Sequence, residues 1–175
     1  LAQPAGHIDV GGIMGSYTGL VFLSGIYVAA GVWTSSLTDN QIVAFLYAVV
    51  IAFLLYTGLD FIGEIPAFEN IQASVQLLGI NYHYEPMSRG VIALGDVIYF
   101  LSFIFLFLWL TVRHFKGTRL KWWQVVIGLV VLNLWAGSVY WRADITNDKR
   151  YTLSAPTKAL LKKADRVIHV DIFLA

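Results

Sequence analysis

The sequence predicts an all-α integral membrane protein with four transmembrane helices, followed by the start of a soluble α/β domain. Only 13% of its 175 residues are charged and 58% are hydrophobic, whereas about 25% of an average soluble domain is charged. Four long apolar stretches follow one another, and about 20 apolar residues suffice to cross a bilayer. The net charge of +1 gives no basic surplus to indicate nucleic acid, and the absence of cysteine excludes disulfides and thiolate metal sites.

Two uncharged stretches, residues 13–36 and 41–59, predict the first two spans. The turn Ser-Ser-Leu-Thr-Asp-Asn at 35–40 joins them into a helical hairpin. Small residues recur at every fourth position, which lets helix backbones approach closely. These helix-packing candidates are Gly11, Gly15, Gly19, Ala44, Ala48 and Ala52. The pattern favours a tight interface within the subunit or between two subunits, although small residues are also common in membrane helices in general.

The connection from 60 to 96 is polar and carries five acidic residues against the single Arg89. Within it, apolar residues spaced along one face predict a short amphipathic helix. They are Phe68, Ile71, Val75 and Leu78. We expect this helix to lie at the outer membrane surface, partly re-entrant, or alternatively to form a small soluble cap.

Two further apolar stretches predict the third span at 97–113, which residues 91–95 could extend, and the fourth at 122–141. Aromatic side chains mark both ends of the fourth span, as expected at membrane interfaces; they are Trp122, Trp123, Tyr140 and Trp141. Asn133, alone among apolar residues, is predicted to bond a partner helix or to be satisfied locally.

A basic run at 113–121 sets the predicted orientation, because Lys and Arg beside a span are retained on the cytoplasmic side. The topology-determining residues are Arg113, Lys116, Arg119 and Lys121. With residues 117–121 as a cytoplasmic linker, alternation puts the acidic connection and the tail from 142 onward outside. The tail carries seven Lys or Arg against four Asp, which opposes this placement, but long domains cross largely regardless of charge.

The tail changes character after the fourth span. Ser154 followed by Pro156 predicts a helix start, and this helix is expected to run to about residue 164. Residues 167–174 then alternate between apolar and polar side chains, which predicts a strand. A helix followed by a strand favours the opening of an α/β domain. We therefore expect the chain to be a fragment of a longer protein, cut at both ends.

Catalytic signatures are missing from the sequence. The predicted span interiors contain no ionisable residue, which argues against a proton-coupled transporter, a voltage sensor and an intramembrane metalloprotease. The pairs His7/Asp9 and His83/Glu85 offer too few ligands for a metal. There is no phosphate-binding Gly-x-x-x-x-Gly-Lys-Ser/Thr loop and no Gly-x-Ser-x-Gly motif. We predict no catalytic, cofactor-binding or metal residues here.

Several strings between residues 6 and 114 resemble the C-terminal half of the GldF family of gliding-motility-associated ABC transporter permeases. The more specific ones are Tyr-His-Tyr-Glu at 82–85 and Ser-Arg-Gly-Val-Ile at 88–92. Others are Asp-Val-Gly-Gly-Ile-Met-Gly-Ser-Tyr at 9–17, Ser-Ser-Leu-Thr-Asp-Asn at 35–40 and Asp-Val-Ile-Tyr-Phe at 96–100. The resemblance implies a type-2 exporter permease of six spans with both termini cytoplasmic, of which residues 1–116 contain the last three. It also implies short helices in the outer loop before the last span.

A second resemblance covers the tail. The string Arg-Ala-Asp-Ile-Thr-Asn-Asp-Lys-Arg-Tyr-Thr-Leu-Ser at 142–154 is similar to the segment after the first span of GldG, the companion subunit. It implies that 122–141 is an anchor helix and that 142–175 begins a periplasmic domain. The chain would then be a permease fused to its partner, in the inner membrane of a Bacteroidetes-type bacterium.

The two resemblances imply partners and a function. The partners are a separate ABC ATPase subunit, a homodimeric or heterodimeric permease partner and the lipid bilayer, with no nucleic acid and no cofactor. The segment that touches the ATPase in such permeases precedes residue 1, so no ATP-contacting residue is assigned. We expect a permease of an ATP-driven transporter; the alternative is a membrane anchor that scaffolds a gliding or secretion machine without transport.

Overall fold

The computed structural model describes residues 9–58, 61, 79–116, 121–139, 141–146, 149 and 151–163. These residues are mostly helical, with little sheet. The helices are α1 (Val10–Leu37), α2 (Gln41–Phe53), α3 (Ile80–Ser88), α4 (Leu94–Lys116), α5 (Trp122–Ser138) and α6 (Ala155–Lys163). A π-helical turn at Leu54–Gly58 continues α2, and the two strands are β1 (Val91–Ala93) and β2 (Arg142–Asp144).

Three helical segments of the described chain are long and apolar enough to cross a membrane: Val10–Leu37, Gln41–Gly58 and Leu94–Lys116. Each contains one of the first three predicted spans or nearly all of it. The predicted fourth span is helical over only 17 residues, Trp122–Ser138, which is shorter than the roughly 20 residues that a span needs. By length and composition the protein is therefore a helical membrane protein with three candidate spans and one shorter apolar helix.

Polar side chains define where the first two helices begin. The Asp9 carboxylate accepts a hydrogen bond from the Gly12 N–H at 3.0 Å and caps α1. At the opposite end of this hairpin, the Asn40 side-chain oxygen accepts from the N–H groups of Ile42 and Val43 at 2.9 and 3.4 Å. Both caps satisfy backbone donors that have no partner inside the helix. The predicted turn at 35–40 thus ends α1 and starts α2.

The core lies between α1 and α4, with α3 packed against both. Phe100 is fully buried, and its ring stacks on Phe22 with centroids 5.9 Å apart, while Trp33 contacts Phe107 at 5.6 Å. The buried cluster consists of Ile26, Ala29, Ala30, Ile80, Met87, Tyr99, Phe100 and Phe107. In a bilayer the hydrophobic effect does not drive helices together, so this interdigitation and the close approach allowed by small residues hold the bundle. α2 packs on α1, and α5 packs on α4.

A two-stranded antiparallel ladder closes one end of the α4–α5 hairpin. Val91 pairs with Asp144, Ile92 with Ala143 and Ala93 with Arg142. Backbone bonds extend the ladder on both sides, from the Leu94 N–H to Trp141 and from the Ile145 N–H to Gly90, each at 3.1 Å. Because β1 leads directly into α4 and β2 follows α5, the ladder ties the two halves of the chain together.

The structure differs from the sequence predictions in the connection and the tail. Helix α3 and both strands were not predicted, since α3 has only nine residues with Pro86 among them and each strand has three. The helix predicted after Ser154 is present as α6, and the Thr157 N–H contacts the Ser154 hydroxyl at 3.4 Å. The amphipathic helix predicted at 68–78 and the strand predicted at 167–174 lie outside the described residues.

Candidate functional site: a cap at one end of the helix bundle

Helix α3, strands β1 and β2 and the described residues of 145–154 form one unit, which we call the cap. It rests on the first turns of α1 and α4. Two ion pairs involve the cap: His83 on α3 pairs with Asp96 at the start of α4, and Arg89 pairs with Glu85 within α3. The cap is therefore the candidate functional site.

The glycines of α1 are the surface on which the cap rests. A Cβ added at Gly15 would lie 2.6 Å from the Gly90 Cα and 2.7 Å from the Met87 carbonyl oxygen, closer than real Cβ atoms come. At Gly11 it would lie 1.7 Å from the carbonyl oxygen of Ile145. At Gly19, the third glycine of the stripe, an added Cβ would lie 3.1 Å from the Tyr84 ring. The predicted close approach thus occurs against the cap and not against another long helix.

The small residues of the second stripe lie on α2, which packs against α1. Ala44 is buried, and Ala48 and Ala52 are half-buried. The π-helical turn that follows connects α2 to the cap, because the Asn81 side-chain amide donates to the Tyr56 carbonyl at 3.1 Å. This polar contact brings the end of the second candidate span to α3.

The turn from α3 into β1 depends on Gly90, whose φ of +86° is in the left-handed region that favours glycine. An added Cβ there would also meet the Thr146 methyl at 2.9 Å and the Gly12 Cα at 3.0 Å. The Ser16 hydroxyl donates to the Ser88 carbonyl at 2.7 Å, which satisfies one of the free carbonyls at the end of α3. The turn is thus fixed on α1 by a close backbone contact and a hydrogen bond.

A buried imidazole–carboxylate pair joins α3 to α4. His83 Nδ1 lies 2.8 Å from Asp96 Oδ1, and the carboxylate-bearing residue is only 7% exposed. The imidazole stacks on the Tyr99 ring with centroids 3.9 Å apart and planes inclined by 22°. Asp96 lies in the first turn of α4, where the helix dipole also favours a negative charge. The pair is a part-buried hydrogen bond between two helices, and it holds the cap on the third candidate span.

This pair revises two sequence interpretations. The third span is predicted at 97–113 with a possible extension over 91–95, and α4 begins at Leu94, so it includes Asp96 and the last part of that extension. His83 and Glu85 were considered as one His-x-acid pair, but each bonds elsewhere, His83 to Asp96 and Glu85 to Arg89. Across the part of the chain that the structure describes, no three His, Cys, Asp or Glu side chains converge as metal ligands would. In the other His-x-acid pair of the sequence, His7/Asp9, Asp9 caps α1 and His7 lies outside the described residues.

A charged cleft of about 330 Å³ opens on the cap between α3 and β2. Its lining residues are Glu85, Pro86, Arg89, Val91, Arg142, Asp144, Tyr151 and Thr152. Arg142 and Asp144 are two residues apart on one strand, so their side chains leave the same face of the ladder. Arg89 and Glu85 form an exposed ion pair one helical turn apart on α3. The cleft thus has charges of both signs on both of its walls.

Asp144 organises the loop that closes the cleft. Its carboxylate accepts from the Thr146 N–H and hydroxyl at 3.1 and 2.5 Å, the Tyr151 N–H at 3.0 Å and the Thr152 hydroxyl at 2.8 Å. The hydrogen bond from the Thr146 side chain, followed by those from Thr152 and two backbone N–H groups, lowers the pKa of the Asp144 carboxyl against the opposing effect of desolvation. The loop is therefore built around an ionised carboxylate.

Acid is expected to release this loop. The folded pKa of Asp144 lies below its ordinary value of 3.8, so its contribution is fully present above pH 3.8 and is lost as the pH falls through the lowered value. We expect hydrogen-exchange protection of the Tyr151 and Thr152 amides to be constant above pH 3.8 and to fall as the pH is lowered further, after correction for intrinsic exchange. Asp144→Asn should reduce protection already at pH 7 and remove the pH dependence. The control Asp39→Asn, in the turn at the opposite end of α1, should leave the pH profile of protection unchanged. If Asp144→Asn also left this profile unchanged, the loop would not depend on the carboxylate.

The basic residues predicted to set the orientation lie at the other end of α4. The Arg113 guanidinium carbon is 5.5 Å from the centroid of the Trp109 ring, and Lys116 is the last residue of α4. The Lys121 N–H donates to the Gln124 side chain at 2.9 Å at the start of α5. Arg119 lies outside the described residues.

Asn133 makes both kinds of hydrogen bond that the sequence allows, one local and one to a neighbouring helix. Its side-chain amide donates to the Leu129 carbonyl at 2.8 Å and to the Ser102 hydroxyl on α4 at 3.0 Å.

The cap could be found only partly from the sequence. The strings at 82–85 and 88–92 that carry the family resemblance coincide with α3 and β1, but nothing in the local pattern joins them to Asp96 or to β2. Comparison of the chain with family models, with curated proteins and with solved structures gives no match.

Proposed function

We propose that this chain is the permease component of an ATP-driven ABC exporter of the gliding-motility type, working with a separate ATPase subunit. The observation that supports the proposal most directly is the cap. The two most specific strings of the resemblance, at 82–85 and 88–92, fold into one unit, which packs on α1 and α4. The resemblance implies short helices in the outer loop before the last span, and α3 is a short helix in that loop.

In this proposal α1, α2 with its π-helical turn, and α4 are the fourth to sixth spans of the permease. Helix α5 is the anchor of the fused companion segment, and β2 begins its periplasmic part. The basic residues at the end of α4 opposite the cap favour a cytoplasmic position for that end. The protein would then reside in the bacterial inner membrane with the cap and tail in the periplasm, and a second permease subunit would complete the assembly.

The contacts of the cap suggest what these residues contribute to transport. ATP-driven closure of the ATPase pair would tilt the permease helices and open a path at the interface between permease subunits. Gly15 on α1, His83 on α3 and Asp96 on α4 join the cap to two spans at once. The cap would therefore hold the outer ends of α1 and α4 together, so that they move as one body.

The rival proposal is a membrane scaffold of a gliding or secretion machine through which nothing passes. It is favoured by the chemistry of the long helices. In the described residues between the cap and the basic end, α1, α2 and α4 carry no ionisable acid or base other than tyrosine. Ionisable groups in such positions usually mark a pathway for ions or protons. A scaffold would bind its partners but would not increase ATP hydrolysis.

Reconstitution distinguishes the two proposals. The full-length protein and the ATPase encoded beside it should be purified together and placed in proteoliposomes. A permease is expected to raise the rate of ATP hydrolysis several-fold above that of the ATPase alone, and an ATPase variant lacking its catalytic carboxylate should abolish the increase. An unchanged rate from a complex that stays assembled, while motility still requires the chain, would establish the scaffold instead.

A further inference from the structure

The cleft between α3 and β2 has the features of a headgroup site. We propose that it binds the headgroup of a phospholipid carrying a primary amine, with the phosphate between Arg89 and Arg142 and the ammonium group at Glu85. The proposal requires that α4 cross a bilayer, and it is independent of any ATPase or transported substrate.

The position of the cleft matches the level of lipid headgroups. It lies where α4 begins and where the chain leaves α5, at the ends of two apolar helices. Trp141 immediately precedes Arg142 and is 55% exposed. Tryptophan favours the interface between hydrocarbon and headgroups because its ring is apolar and its N–H is polar. A lipid whose chains lie beside α4 and α5 would therefore present its phosphate at the cleft.

Some charged side chains of the cleft are hydrogen-bonded within the protein, and others are open to a ligand. Asp144 accepts four hydrogen bonds from its own loop, so its lone pairs are already used. Within the described residues, the Arg142 guanidinium makes no hydrogen bond or ion pair, and it lines the cleft. Arginine binds phosphate through two parallel N–H donors. Arg142 is thus the group in the cleft that most needs an anion.

The opposite wall supplies one cation and one anion. Arg89 and Glu85 are paired on α3, but their side chains are 59% and 63% exposed. An exposed pair of this kind is weakly coupled, so a ligand with both charges can insert between its members. The phosphate would then bind both arginines and the ammonium would donate to Glu85. A choline headgroup has no N–H to donate, and an anionic headgroup without an amine would meet Glu85 unfavourably.

The volume of about 330 Å³ lies at the lower end of the roughly 300–1,000 Å³ of small-molecule sites. It suits a headgroup and leaves the acyl chains outside, in the bilayer. Tyr151 and Thr152 line the cleft from the loop that Asp144 holds. This loop therefore completes the wall on the side of β2.

Native mass spectrometry of the full chain tests the proposal. The purified protein is mixed with equimolar phosphatidylethanolamine, phosphatidylglycerol and phosphatidylcholine of identical acyl chains. We expect retention of the ethanolamine lipid about tenfold above the other two, the value of one charge-assisted hydrogen bond. Equal retention of the three lipids, or preference for the glycerol lipid, overturns the proposal.

Three variants separate the roles of the two walls. Arg142→Gln should lower retention of phosphatidylethanolamine to the level of phosphatidylcholine. Glu85→Gln should remove the preference for ethanolamine and increase retention of phosphatidylglycerol, since it removes the carboxylate that is paired with Arg89. The control Lys158→Gln, on the exposed face of α6, should change neither value. Unchanged lipid selectivity in both Arg142→Gln and Glu85→Gln would contradict the assignment.

Competition on the unmodified protein gives a readout that does not depend on a variant folding. Soluble phosphoethanolamine should displace the bound lipid, and phosphocholine should not. Displacement by both compounds to the same extent would show that the amine is not recognised and would overturn the proposal. The assay contains no ATPase, so a negative result would contradict the lipid site and would not bear on the proposed transport function. Likewise, a negative result in the ATPase assay would not bear on the lipid site.

Discussion

Gly15→Ala is expected to lower the stability of the folded protein by about 1–2 kcal/mol, because overpacking a tight contact costs about 1–3 kcal/mol. The added methyl group would lie 2.6 Å from the Gly90 Cα and 2.7 Å from the Met87 carbonyl oxygen, and neither backbone atom can rotate away. Alanine is more favourable than glycine inside a helix by about 1 kcal/mol, so the cost of the clash must exceed this gain. Thermal unfolding in detergent measures the difference.

A matched glycine on the same helix provides the control. A Cβ at Gly31 would meet nothing within 4 Å. Gly31→Ala should therefore leave the protein unchanged or stabilise it by up to about 1 kcal/mol. If both variants unfolded at the same temperature, the close contact between α1 and the cap would not contribute to stability.

Asp96→Ala is expected to destabilise the protein by about 1–3 kcal/mol, the usual cost of leaving a buried hydrogen-bonding group without its partner. The substitution removes the carboxylate that lies 2.8 Å from His83 Nδ1, and it leaves the imidazole stacked on Tyr99 in a site with little access to water. Asp96→Asn keeps an acceptor and should cost less. Chemical or thermal unfolding of the two variants in the same detergent measures both effects.

An exposed ion pair on α3, the helix that carries His83, provides a comparison for the cost of Asp96→Ala. Glu85→Ala breaks the ion pair with Arg89, whose members are both largely exposed, and should cost no more than about 1 kcal/mol. The double variant His83→Ala/Asp96→Ala should lose less than the sum of the two single variants, since the buried partner left by one is removed by the other. Additive losses would show that His83 and Asp96 act independently.

The long helices could be predicted because their signals are local. Asp9 and Asn40 cap the helices that follow them, and long uncharged stretches set the extent of α1 and α2. The start of α4 stayed open in the sequence, at 97 or within 91–95, because a charged residue such as Asp96 is normally expected outside a span. His83, which makes that position favourable, lies thirteen residues earlier and on another helix.

The cap could not be predicted because its contacts join distant parts of the chain. The register that pairs Val91 with Asp144 has no local signature, since each strand has three residues. The stripe of Gly11, Gly15 and Gly19 leaves room for a close approach, but a stripe of glycines does not specify its partner. The partner is the backbone of α3, its turn and the residue after β2.

The ladder between β1 and β2 also imposes an order on biosynthesis. The ribosome completes β1 and α4 before α5, and β2 emerges only after α5. Until the end of α5 lies beside the start of α4, β1 has no strand to pair with and Gly11 has no carbonyl against it. Formation of the ladder is thus a late step that depends on correct packing of α5 against α4. Chains in which it fails would leave β1 as an unpaired strand edge, which is a template for pairing with another chain.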